Sequence, residues 1–147
     1  MRALSSARIV VLDADPTHRN FLCVALAALG LKYVYPASSF EEARRAATAP
    51  DLCVVNPRQL VPAGPRIPRN PFDPARTPGI LLTADPTHEL IKAAGASGYC
   101  AVVGVPVAPR LLYRRIGSIL QKVRRAERRF GTNLVTDAAT IAEIQES

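Results

Sequence analysis

The chain has no tryptophan, one methionine, four tyrosines and four phenylalanines in 147 residues. A core so poor in aromatics has to be built from aliphatics, and few rings remain for stacking nucleic-acid bases. Long apolar runs are also missing. Arg8 and Asp13 bracket the first one, which makes it too short and too charged for a signal peptide or a membrane span. With no export signal, Cys23, Cys53 and Cys100 are expected as reduced thiols in a cytoplasm. Each lies among aliphatic neighbours, which fits small buried hydrophobes better than metal ligands or redox centres. Acid is scarce in one stretch: residues 107–130 hold eight arginines and lysines against Glu127, and the rest of the chain is balanced.

What is present suffices for one domain. A chain of this length buries roughly 68–70% of its unfolded surface, enough for a core without staples. Arg8–Asp13 is a β-branched run ending in an acid, which reads as a fully buried strand. Asp15 is placed to cap a helix with Pro16 at its first position, and Gly30 to close it. A second strand covers 32–35. Ser38 or Ser39 opens a short helix with Glu41 and Glu42 early and Arg44 and Arg45 late, the order the helix dipole favours. Strands follow at 51–56, 79–83 and 98–103. Asp85 and Pro86 start a further helix running to about Ala94, and Pro109 opens a long last one. Strands alternating with helices predict a parallel, doubly wound five-stranded sheet with ligands at the strand carboxyl ends.

Two segments depart from that plan. Between 57 and 79, prolines stand at 57, 62, 65, 68, 71, 74 and 78, so no long helix persists there. The three-residue period matches polyproline II. One reading is an extended or disordered loop in place of a helix, lying across the sheet with Ile67 or Phe72 as anchors. The other is a docking ligand exposing Arg66, Ile67, Arg69 and Phe72. In the last helix Leu112, Ile116, Ile119, Val123, Ala126 and Phe130 form a heptad-like stripe, beyond which 136–144 reads as a short acidic helix. The segments from Leu12 to His18 and from Leu82 to His88 differ at one position. They read as two strand-to-helix turns made with the same cap, placing His18 and His88 in first helical turns; the other reading is a duplicated metal or phosphate motif with the two histidines as ligands.

The strand-one acid, the run from Pro50 to Asn56, Leu81 to Ala84, and Ala94 to Tyr99 together resemble the receiver (CheY-like) domain of two-component response regulators over about residues 7–123. The resemblance implies strand order 2-1-3-4-5, with helix three replaced by the proline-rich loop and helix five extended. It implies an acid at Asp13, a second acid at the position of Ala14, and a phosphoacceptor aspartate at the position of Asn56. The switch hydroxyl falls on Thr83 and the switch aromatic on Tyr99. The phosphate-pairing lysine falls on Val105, before Pro106, and no lysine lies between Lys92 and Lys122.

A carboxamide cannot form an acyl phosphate, and magnesium asks for more anionic oxygen than this pocket retains. The expectation is a degenerate pseudo-receiver: residues 1–123 with the 57–79 insertion, followed by a basic extension and acidic tail over 124–147. It is expected to need no cofactor, to hold no metal, and not to be an enzyme, since no nucleophile–base pair is in evidence. Its expected role is as an adaptor or regulator binding a protein such as a histidine kinase, with a homodimer through helix five also open. Tyr99, Leu112, Ile116, Val123 and Phe130 are placed on the interaction face. The alternative is a sensor binding cyclic di-GMP or another phosphate-bearing ligand. Its patch would be Arg114, Arg115, Lys122, Arg124, Arg125, Arg128 and Arg129, because guanidinium groups grip phosphate bidentately. Nucleic acid is disfavoured by the lack of interleaved aromatics and of a recognisable binding module.

Overall fold

A computed structural model describes residues 4–58 and 67–130; the side chains of Arg129 and Phe130 lie outside the description. Pro62, Pro65, Arg66 and the acidic helix expected at 136–144 likewise fall outside the described residues. Five parallel strands stand in the order β2-β1-β3-β4-β5: β1 Arg8–Asp13, β2 Tyr33–Ala37, β3 Leu52–Asn56, β4 Gly79–Thr83 and β5 Tyr99–Gly104. The helices are α1 Pro16–Ala28, α2 Phe40–Ala46, α3 His88–Ala96 and α4 Pro109–Phe130, with a short 3-10 turn at Leu4–Ser6. No helix connects β3 to β4 among the described residues.

The sheet divides two cores, and strand alternation explains why. Ile9, Val11, Leu52, Val54, Ile80 and Leu82 face one side, where they meet Leu22 and Leu26 of α1 and Leu112, Ile116 and Ile119 of α4. Val10, Leu12, Cys53, Val55 and Leu81 face the other, against Ala43 of α2 and Leu90 and Ala94 of α3. Ile67 and Phe72 cover the rest of that second face from the proline-rich loop. Both side chains are half-buried, so they anchor the segment rather than displaying it as a docking ligand.

The loop is held by polar groups as well. Asn70 is buried; its Nδ2 donates to the carbonyls of Thr77 (2.9 Å) and Gly98 (3.1 Å), while its Oδ1 accepts from Phe72 N (2.9 Å) and the Cys53 thiol (3.3 Å). Thr77 donates from Oγ1 to Pro50 O at 2.7 Å. Gly79, where the loop re-enters the sheet, admits no side chain: a Cβ there would lie 2.9 Å from the Tyr99 ring and 3.0 Å from Asn70 Nδ2. Gly79→Ala is therefore expected to cost about 1–3 kcal/mol by overpacking, measured as a fall in the urea midpoint at unchanged slope.

The repeated motif is solved twice in different ways. Asp15 caps α1, accepting from Thr17 N, and Pro16 is the first helical residue as expected. Asp85 caps nothing; α3 starts two residues later than expected, at His88, and Thr87 accepts from Leu90 N at 3.1 Å.

Candidate functional site

The register brings two side chains together at the carboxyl end of the sheet. Asp13 ends β1 directly opposite Asn56, which ends β3, and both are buried. Asn56 Nδ2 donates to Asp13 Oδ2 at 3.2 Å, and Asn56 Oδ1 accepts from Arg58 N at 3.2 Å, which turns the chain out of the strand. Asp13 Oδ1 accepts from Asp15 N at 2.9 Å. Asp13 Oδ2 also takes a close hydrogen bond from His18 Nδ1, which must be the donor because an ionised carboxylate only accepts. Arg19 reaches the same turn and donates to the main-chain oxygen of Asp13 at 2.8 Å.

His18 and Arg19 thus complete a site in which the sequence singled out Asp13, Ala14, Asn56, Thr83 and Val105. The signal for His18 lay in the echoed motif, at the one position where its copies differ. Asp13 offers a carboxylate with two oxygens, enough to hold both Asp15 N and the imidazole. Its counterpart Thr83 offers one hydroxyl, which accepts from Asp85 N at 3.3 Å, and His88 stays exposed. A single acceptor group folds one histidine inward and leaves the other in solvent.

Thr83 and Val105 meet through the backbone, Val105 N donating to Thr83 O at 2.8 Å; the Val105–Pro106 peptide is cis. Ala14 and Val105 bring no charge. A divalent cation does not fit this donor set. Magnesium prefers anionic oxygens in an octahedral array, and the carboxylate of Asp13 already receives three donors from its own chain. No group of three His, Cys, Asp or Glu side chains converges among the described residues. The thiols offer no nucleophile either: burial raises the pKa of Cys23 and Cys53, and that of Cys100 to about 11, so all three stay protonated at neutral pH.

The interaction face expected from sequence needs correction. Tyr99 is buried, and its hydroxyl donates to Pro68 O at 2.8 Å, so the ring pins the loop from inside. Burial raises its pKa. Leu112 and Ile116 are fully buried against the sheet, because the stripe that looked available for a partner is consumed by the domain's own core. Val123 is half-buried. Arg114, Arg115, Arg125 and Arg128 are exposed, while Lys122 and Arg124 are partly covered. The end of α4 does not stand clear on all sides, since Ala126 is 1% exposed. No described helix is long and apolar enough to cross a membrane.

No protein-family model matches the sequence, and no curated protein matches it either. Solved structures do. A CheY-like response regulator receiver domain from Methanospirillum hungatei superposes with TM-score 0.66 at 18% identity, covering 82% of this chain and 98% of its own. The receiver domain of a modulated diguanylate cyclase from Desulfovibrio desulfuricans gives 0.60 at 22%, covering 80% and 95%. The chemotaxis response regulator CheY4 of Vibrio cholerae gives 0.60 at 16%, covering 77% and 98%. The fold is that of receiver domains. At such identities the likeness speaks for architecture alone.

Proposed function

We propose that this protein is a receiver-type module of two-component signalling that has given up aspartyl phosphorylation and acts by binding a protein partner. The observation that carries the reading is the closed polar knot at the sheet's carboxyl end. An amide sits at the acceptor position, and the acid at Asp13 is already engaged by His18, Asn56 and the Asp15 amide. Phosphoryl transfer to a carboxylate requires a nucleophilic oxygen, a bound metal and a cation to neutralise developing charge. Asn56 supplies no such nucleophile, Asp13 is poorly placed to hold a metal, and Val105 brings no ammonium. Of the α4 stripe that a homodimer would use, Leu112, Ile116, Ile119 and Ala126 are buried and Val123 is half-buried.

Incubation with acetyl phosphate and Mg²⁺, or with a phosphorylated histidine kinase, is expected to leave the intact mass unchanged. A hydroxylamine-labile phosphoryl adduct would overturn the reading.

A second reading keeps the arginines as an anion clamp. Arg125 and Arg128 are exposed and one turn apart on α4, a spacing that lets two guanidinium groups address one phosphate-bearing ligand. Calorimetry with cyclic di-GMP checks it: binding heat abolished by Arg125→Glu/Arg128→Glu supports the clamp, and no heat removes it.

A further inference from the structure

The sequence from Leu90 to Ala126 contains no acidic residue, and neither does the stretch from Pro16 to Phe40. α1 and α4 come from these stretches and pack on the same face of the sheet, so the layer they form is basic, with Glu127 as the one acid on either helix. On a helix of 3.6 residues per turn, Arg110, Arg114, Ser118, Gln121, Arg125 and Arg128 fall within about 40° of one line along α4. All six are exposed. The line faces away from the sheet, because Leu112, Ile116 and Ile119 on the other side of the helix are buried against it. Every side chain on the line is a hydrogen-bond donor, four are cationic, and none is apolar or acidic.

We infer that this line binds duplex DNA through its phosphate backbones, an activity separate from the protein-binding role proposed above. The arginines stand in two pairs. Arg110 and Arg114 are one turn apart, as are Arg125 and Arg128, and each pair offers planar N–H donors suited to phosphate oxygens. Eleven positions separate Arg114 from Arg125, about 16 Å at 1.5 Å per residue. The major groove of B-form DNA is about 12 Å wide, so α4 crosses it with one arginine pair over each flanking backbone. Ser118 and Gln121 lie between the pairs and bring no carboxylate to repel the duplex. The scarcity of aromatics that counts against nucleic acid is no obstacle here. Rings stack the bases of single strands, whereas a paired duplex presents phosphate and releases counterions when arginine neutralises it. A bilayer would need apolar side chains to insert, and the line has none. Duplex RNA fits less well, because its major groove is narrow and deep.

The test is fluorescence anisotropy of the full chain with two labelled DNA duplexes of unrelated sequence. Both are expected to bind alike, since backbone contacts carry no sequence information. Four neutralised phosphates give a slope of about −3.6 in log K against log salt, roughly a hundredfold loss of affinity between about 50 and 200 mM. Arg110→Gln/Arg114→Gln and Arg125→Gln/Arg128→Gln should each halve that slope and weaken binding about tenfold or more at the lower salt. Arg44→Gln/Arg45→Gln on α2 should leave it unchanged. All six substituted positions are exposed, so the variants are expected to keep the parent circular dichroism.

Absence of binding at the lower salt overturns the inference, as does a slope that neither arginine pair changes. So does binding of duplex RNA or phosphatidylglycerol vesicles as tight as that of DNA. Dependence on Arg125 and Arg128 alone sinks it too, because a helix crossing the groove needs both pairs; that result would leave only the smaller clamp for cyclic di-GMP.

Discussion

Asn56→Asp is expected to destabilise the fold at neutral pH without restoring a phosphoacceptor. The native amide donates to Asp13 Oδ2 across 3.2 Å. A carboxylate there removes that donor and sets two like charges side by side in a buried pocket. At an effective dielectric of about 20, two such charges 4 Å apart repel by about 4 kcal/mol. His18 and Arg19 offset part of this, leaving an expected loss of about 2–3 kcal/mol at pH 7.

The sign with pH follows from linkage. The new carboxyl titrates above its unfolded value, near 3.9, because its neighbour disfavours a second charge. Below that value both states are protonated, and the neutral carboxyl can donate to Asp13 much as the amide does. The variant should therefore match the parent near about pH 4, and the deficit should grow as pH rises through the folded-state value. Urea unfolding of both proteins over this range measures it; a pH-independent difference would mean that the two groups do not interact. Acetyl phosphate should still leave no adduct, since Ala14, Val105 and the His18 bond to Asp13 are unchanged. Phosphorylation of this single variant would show that the amide was the whole lesion.

The parts of this pocket were unequally legible in the sequence. Asp13 and Asn56 could be placed because each ends an apolar β-branched run, and parallel register sets such ends side by side. Ala14 and Val105 were legible as missing chemistry, by family order. His18 was visible as a first-turn residue, but its direction was not: that depends on which acceptor lies five residues earlier. Tyr99 misled for a related reason. The resemblance placed it on a surface, and periodicity says nothing of a carbonyl at Pro68, contributed by a loop with no regular structure, that holds its hydroxyl inside. Leu112 and Ile116 were ambiguous in principle, since an apolar stripe serves a core or a partner equally well until the sheet beneath it is seen.

Asn70 is the residue whose loss should be felt most widely. Its side chain makes four hydrogen bonds, to the carbonyls of Thr77 and Gly98, the amide of Phe72 and the thiol of Cys53, and its own amide donates to Ser97 O at 2.9 Å. One buried amide thus ties the loop to β3 and to the turn before β5, standing in for a helix that would have satisfied its own backbone. Asn70→Ala leaves buried carbonyls and an N–H without partners, at about 1–3 kcal/mol each where water cannot reach them. We expect a total loss of about 3–4 kcal/mol and a melting temperature lower by roughly 10 °C. Tyr99→Phe, which removes one bond to the same loop, should cost about 1 kcal/mol.

Asn70→Asp separates the donors from the acceptor. It keeps Oδ1 for Phe72 and Cys53 but turns a carboxylate against two carbonyls, so burial and those oxygens raise its folded-state value. The sign is again one of stability present in acid and lost as pH climbs, with the variant approaching the parent when a protonated carboxyl donates to Thr77 or Gly98. Hydrogen exchange locates the effect. The amides of Asn70 and Phe72 should lose protection in Asn70→Ala before those of β1 and β3 do, since local opening draws on the weakest cooperative unit. If they exchange no faster than in the parent, the loop is held by Ile67 and Phe72 alone and the amide latch is dispensable.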